Sequence, residues 1–182
     1  MYKRIIRPTL FALSNSDAER AHHYGLLTLK TIGTAPLRQI ISSFTKVRNE
    51  REVFGIKFPN PVGLAAGFDK HAEAISGIAA LGFGFIEVGT VTPLPQPGNP
   101  RPRIFRLRED EAIINRMGFN NYGLEQMAAR LAKQKKIGIP IGINVGKGKQ
   151  TPLEEASSDY KKAIEALYEY ADYLTINTSS PN

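Results

Sequence analysis

The chain has 182 residues, 42% of them hydrophobic and 23% charged, a balance that suits a globular protein with a real core and excludes a disordered or low-complexity chain. With no cysteine, disulfides, thiolate metal sites and a cysteine nucleophile or base are excluded within these residues, and no metal site is expected. The formal charge is +7, and residues 1–55 carry nine Lys/Arg against four Asp/Glu, so the basic excess is local; without interleaved aromatics or a recognised nucleic-acid module it points to no nucleic-acid partner.

No apolar run approaches the ~20 residues needed to span a bilayer. The start lacks the charged, apolar and small-residue regions of a secretory signal, so a cytoplasmic or peripheral membrane protein is expected. Residues 2–13 and 17–32 read as two short helices, the second with Ser16 as N-cap and Glu19 three residues on, which is capping-box spacing. Ala18, Ala21, His22, Gly25, Leu26, Leu29 and Ile32 recur at three- and four-residue steps and make one apolar stripe. Ile5, Ile6, Leu10, Phe11 and Leu13 crowd the first helix beside Lys3, Arg4 and Arg7. Either the pair packs on its own domain, or the apolar face of the first helix enters a membrane interface with its cations near anionic headgroups.

From about Gly55 the texture becomes short apolar runs, turns and helical stretches. Strands are expected over 61–66, 83–89, 140–145 and 173–178, and helices over 72–81, 122–135 and 153–170. Residues 103–107 and 112–114 form a hairpin around the charged turn 108–111. Such alternation implies parallel strands with right-handed crossovers, hence a doubly wound sheet or a (β/α)8 barrel.

In both folds ligands meet the C-terminal ends of the strands. Polar clusters fall there: residues 65–70, 89–93, 144–147 and 177–182, with 115–121 after the hairpin. Gly67 lets backbone approach a flat ring, and Lys70 offers a movable cation for a carboxylate or a reduced ring. Thr90 brings a short hydroxyl. Asn115, Asn144, Asn177 and Asn182 each bring a donor and an acceptor, as needed to match a ring that alternates N–H and C=O. Any one of these is also ordinary turn chemistry; five clusters together are not.

Ala65 to Lys70, Gly89 to Pro93 continuing through Gln96 to Arg103, Asn115 to Phe119 and Asn177 to Asn182 resemble the signature blocks of the class 2, quinone-dependent dihydroorotate dehydrogenases. The similarity covers essentially the whole chain, including Ala21-His22 of the second helix. It implies an α/β fold, a (β/α)8 TIM barrel carrying FMN, behind a small N-terminal helical domain over residues 1–48 that forms the mouth of a quinone tunnel at the membrane. It implies peripheral association with the cytoplasmic side of the inner or plasma membrane in a bacterium. Ala66, Gly67, Lys70, Thr90, Asn144 and Asn177 resemble the FMN contacts. Lys70, Asn115, Arg116, Met117, Gly118, Phe119, Asn177 and Asn182 resemble the contacts to dihydroorotate or orotate. Ser180 resembles the catalytic base, and Arg106 and His22 resemble quinone-tunnel residues. Soluble class 1 relatives and dihydrouridine synthases use a cysteine base, which this chain lacks.

Four strands are half of the eight that close a barrel of about 250 residues. Residues 49–182 are therefore expected to form its first half, a fragment inactive by itself that lacks the loops for the FMN phosphate. A half-barrel that binds a membrane or a partner without catalysis is the alternative.

Overall fold

The computed structural model describes residues 2–134 and 136–178. A π-helical turn, Tyr2–Ile6, runs without a break into α1 (Arg7–Leu13), which has Pro8 in its first turn. Asn15 and Ser16 both take positive φ, 52° and 62°, and turn the chain into α2 (Ala18–Ile32). That turn corrects the expected cap: Ser16 is left-handed, and the Asp17 carboxylate accepts the Arg20 backbone N–H at 2.8 Å. Glu19, freed from capping, turns toward the barrel. A third helix, α3 (Leu37–Thr45), and a hairpin of β1 (Arg51–Val53) with β2 (Ile56–Phe58) were not expected from the sequence.

The main sheet comprises β3 (Gly63–Leu64), β4 (Phe85–Val91), β7 (Ile141–Gly146) and β8 (Tyr173–Asn177), all parallel and neighbours in that order. Chain order equal to spatial order is the order of staves in a (β/α)8 barrel; a doubly wound sheet reverses at its switch point. Between β4 and β7 lies the antiparallel hairpin β5 (Ile104–Leu107) and β6 (Ala112–Asn115), folded around the charged turn as expected. The crossover helices are α4 (Ile75–Ala80), α5 (Gly123–Ala132) and α6 (Ala156–Leu167). α4 starts three residues later than expected: Ala72 has φ 56°, and both Asp69 carboxylate oxygens accept backbone N–H groups, of Glu73 and Ala74, each at 2.8 Å.

Alternation along the strands divides two environments. Ile86, Val88, Ile143 and Val145, all fully buried, face Ile75, Ile78, Met127, Ala163 and Leu167 of the helices and make the core. Glu87, Gly89, Gly142, Asn144, Tyr173, Thr175 and Asn177 alternate with the core set along the same strands. α2 lies against α4 at Gly77, where an added Cβ would meet the Leu29 carbonyl oxygen, so the close approach requires glycine. Among the described residues no helix is long and apolar enough to cross a membrane.

Candidate active site

The ladder between β4 and β7 pairs Gly89 with Asn144 and Val91 with Val145, so Thr90 is an extra residue in the strand. An insertion of this kind bends a strand and redirects a side chain. Thr90 accordingly points to the same face as Asn144, and its hydroxyl donates to Asn144 Oδ1 at 2.6 Å. Asn144 Nδ2 donates to Glu87 Oε1 at 2.9 Å, and the Asn177 amide donates to Thr90 Oγ1 at 3.3 Å and Asn144 Oδ1 at 3.4 Å. Glu87 Oε2 accepts the Thr175 hydroxyl at 3.0 Å and the Tyr173 phenol at 3.3 Å.

Above this floor stands the turn after β3. Asp69, fully buried, is raised in pKa by loss of solvent, an effect only partly offset by the N–H groups it accepts. By bonding two residues of the next turn it holds Lys70 at the rim. Burial depresses the pKa of Lys70; the Arg103 cation adds to the depression and Glu19 opposes it. Lys70 makes no hydrogen bond or ion pair among the described residues, so a carboxylate brought beside it would meet an uncommitted cation. Gly67 has φ 98°, and a Cβ built there meets nothing within 4 Å, so the backbone presents a bare, open surface to the cleft.

The opposite wall is residues 115–119. Asn99 Nδ2 donates to the Arg116 carbonyl at 2.9 Å, Asn99 N–H to the Met117 carbonyl at 3.0 Å, and Gln96 Nε2 to the Gly118 carbonyl at 3.1 Å. Asn121 Nδ2 holds the Phe119 carbonyl at 2.7 Å. The Arg116 guanidinium donates to the Pro102 carbonyl, tying the same wall to the proline-rich loop.

Ala66, Gly67, Lys70, Thr90, Asn115, Arg116, Met117, Gly118, Phe119, Asn144 and Asn177 thus line one cleft of about 540 Å³. Ser180 and Asn182 lie outside the described residues. Glu87 and Asn99 line the same cleft, and sequence reasoning assigned them no role. An acid in the middle of a buried strand was the available signal for Glu87.

A larger groove, about 1930 Å³, opens from the cleft through Ala66, Gly67, Lys70, Asn115 and Met117 toward α1 and α2. His22 and Arg106 both line it. His22 Nε2 donates to the Phe68 carbonyl at 2.7 Å, with its ring edge-on to Phe68, and Arg106 stacks its guanidinium 3.8 Å from the centre of the Phe11 ring. α2 is clamped to the barrel by Glu19, whose carboxylate takes Arg103 Nη2 at 2.6 Å, Nε at 3.1 Å and Arg101 Nη2 at 3.0 Å.

Residues 48–182 match the family model described as dihydroorotate dehydrogenase. The chain belongs to the dihydroorotate dehydrogenase family. Among curated relatives, the dihydroorotate dehydrogenase (quinone) of Chloroflexus aurantiacus is 55% identical over 185 aligned positions, which cover 100% of this chain and 51% of that protein. The protein of the same name from Methylococcus capsulatus is 50% identical over 100% of this chain and 52% of its own length. Among solved structures, that of DHODH from Eimeria tenella in complex with ferulenol superposes with a TM-score of 0.68 at 42% identity, over 80% of this chain and 43% of that one. The chain spans about half the length of the curated relatives it matches. Its four parallel strands are therefore consecutive staves of the dihydroorotate dehydrogenase barrel, and the cleft lies at their C-terminal ends, where such barrels carry their chemistry.

Proposed function

We propose that the protein is a quinone-reducing dihydroorotate dehydrogenase that oxidises dihydroorotate to orotate, with FMN as cofactor, in pyrimidine biosynthesis. The observation that carries the proposal is the single cleft in which Gly67, Lys70, Thr90, Asn115, Asn144 and Asn177 meet, brought from turns far apart in the chain. The residues present fit a flavin: Gly67 offers an open backbone surface to a flat ring, and Thr90, Asn144 and Asn177 form a polar edge able to match alternating N–H and C=O groups. When bound there, FMN would supply the acceptor for the C6 hydride of dihydroorotate and the relay of two electrons to the quinone.

The chain's own residues would do the rest. Ala66 and Gly67 back the ring, and Thr90, Asn144 and Asn177 orient it. Lys70 opposes the substrate carboxylate, whose charge would compensate the burial that disfavours its ammonium. Residues 115–119, pinned from behind by Gln96 and Asn99, with Asn177 and Asn182, hold the substrate ring. Ser180 is assigned removal of the C5 proton. A hydroxyl is a weak base, so its proton needs an exit and the developing anion needs stabilisation. The groove lined by His22 and Arg106 is the quinone approach. Residues 1–48, with Ile5 and Leu13 exposed on the first helical segment, form a peripheral membrane domain.

The test uses protein from the full reading frame. It is expected to be yellow, to reduce quinone only with dihydroorotate, and in the Ser180→Ala form to bind FMN while its flavin is reduced ~10²- to 10⁴-fold more slowly. Colourless protein without turnover would sink the proposal, and an unchanged single-turnover rate in Ser180→Ala would remove the base assignment. Deletion of residues 1–48 is expected to impair membrane association and quinone turnover more than flavin reduction.

A further inference from the structure

Glu87 stands at the closed end of the hydrogen-bond chain under the cleft, and its carboxylate can only accept. Three donors converge on it: Asn144 Nδ2 at 2.9 Å, Thr175 Oγ1 at 3.0 Å and the Tyr173 phenol at 3.3 Å. The phenol remains a donor, because burial, reinforced by the charge of Glu87, raises its pKa above the ordinary range. An acceptor-only neighbour leaves Asn144 one orientation, with its NH₂ toward Glu87 and its carbonyl toward Thr90. The Thr90 hydroxyl has a single proton and commits it to that carbonyl at 2.6 Å, while its oxygen accepts from Asn177. Thr90 keeps a lone pair for a ligand, and Asn144 keeps its second N–H.

We infer that Glu87 is a positioning residue that sets the donor–acceptor sense of the Asn144–Thr90–Asn177 chain, and with it the edge pattern a bound flavin must match. The inference rests on the flavin reading of the cleft. It makes Glu87 distinct from the residues that touch the ring: it acts through Asn144, on the β4–β7 ladder.

Glu87→Gln keeps the shape and removes the restriction. A glutamine can turn its NH₂ toward Asn144, with its carbonyl accepting from Thr175 and Tyr173. Asn144 then flips, and Thr90 is released to donate into the cleft. Alternatively it can accept from Asn144 as the wild type does, with the two hydroxyls turning to accept. Both senses become available, where the wild type permits one.

The measurements are FMN affinity by titration of the apoprotein, the absorption spectrum and midpoint potential of the bound flavin, and the melting temperature of the apoprotein, all on protein from the full reading frame. Glu87→Gln is expected to melt close to wild type yet bind FMN roughly tenfold more weakly, the scale of one hydrogen bond lost, with a shifted spectrum and potential. Glu87→Asp keeps a carboxylate that can only accept, on a stem one methylene shorter, and is expected to bind FMN more tightly than Glu87→Gln, with spectrum and potential nearer wild type. Unchanged affinity, spectrum and potential in Glu87→Gln would overturn the inference and leave the flavin reading standing, as would a Glu87→Asp protein no better than Glu87→Gln. If Glu87→Gln cannot be isolated, Glu87→Asp is compared with wild type directly, and failure to take up FMN overturns the inference. Wild-type protein that binds no FMN would overturn the flavin reading itself and this inference with it.

Discussion

Replacing Arg103 by methionine tests how the helical segment is held to the barrel. The Arg103 and Glu19 side chains are only 7% and 15% exposed, and Arg103 donates to both Glu19 oxygens and to the Pro97 and Asn99 carbonyls at 2.7 and 3.0 Å. Methionine retains most of the volume and none of the donors, leaving a carboxylate and two carbonyls to find new partners. Removing one member of a buried ion pair costs about 3–5 kcal/mol. Glu19 keeps the exposed Arg101 at 3.0 Å, so the lower end of that range applies, or a melting temperature lower by roughly 10 °C. Glu19→Gln keeps an oxygen for Arg103 and should cost about 1–3 kcal/mol. Arg101→Met removes a pair whose arginine is 67% exposed and should cost under about 1 kcal/mol. Thermal unfolding of the three variants, followed by far-UV circular dichroism, checks the ranking. An Arg103→Met protein no less stable than Arg101→Met would refute the reasoning, because it would mean that water, not Glu19, satisfies the guanidinium.

Burial works to raise the pKa of Glu19, but the hydrogen bonds and charges of Arg103 and Arg101 outweigh it and hold the carboxyl below the usual glutamate range. The stability it contributes should therefore be fully present above that range and lost as pH falls through the depressed value; melts between about pH 5 and pH 3 should show a drop that Glu19→Gln lacks. His71 adds to the same acid weakness, since burial pushes its pKa down to about 4: stability falls as pH drops from the usual histidine range toward that value, and His71→Phe should flatten this window. Gly77→Ala forces a methyl onto the Leu29 carbonyl and should destabilise the α2–α4 contact by about 1–3 kcal/mol, whereas Gly25→Ala meets nothing within 4 Å and should stabilise by roughly 0.5–1 kcal/mol. Denaturant midpoints of the pair separate the two. Lys70→Ala should weaken FMN and orotate binding together in equilibrium titrations, and both affinities intact would show a merely solvated lysine.

Much of the site was legible because its residues follow strands. A short apolar run that ends in a turn announces a strand, and in a parallel α/β fold the residues just past its end must lie at one rim. That rule led to Gly67, Lys70, Thr90, Asn144 and Asn177, and the structure brings them to one cleft. The hairpin over residues 104–115 was equally plain from the charged turn 108–111 between its two apolar runs. α3 was passed over, although Leu37, Ile40, Ile41 and Phe44 stand at three- and four-residue steps and make an apolar stripe; that stripe faces largely outward, with Ile40 and Phe44 53% and 86% exposed. The capping box failed for a local reason, since its spacing cannot reveal that Ser16 is left-handed.

From the residues alone come the alternation of helix and strand, the absence of a cysteine base and the polar clusters after each run, because each of these is read from composition or from neighbours along the chain. Tertiary structure alone decides which partners meet. Glu19 and Arg103 join across 84 residues, Glu87 reaches Asn144 across 57, and Thr90 faces the cleft because its strand carries one residue more than its neighbour can pair. Those contacts depend on how strands register side by side, and a one-dimensional pattern of apolar and polar residues carries the faces of each strand but not the pairing between them.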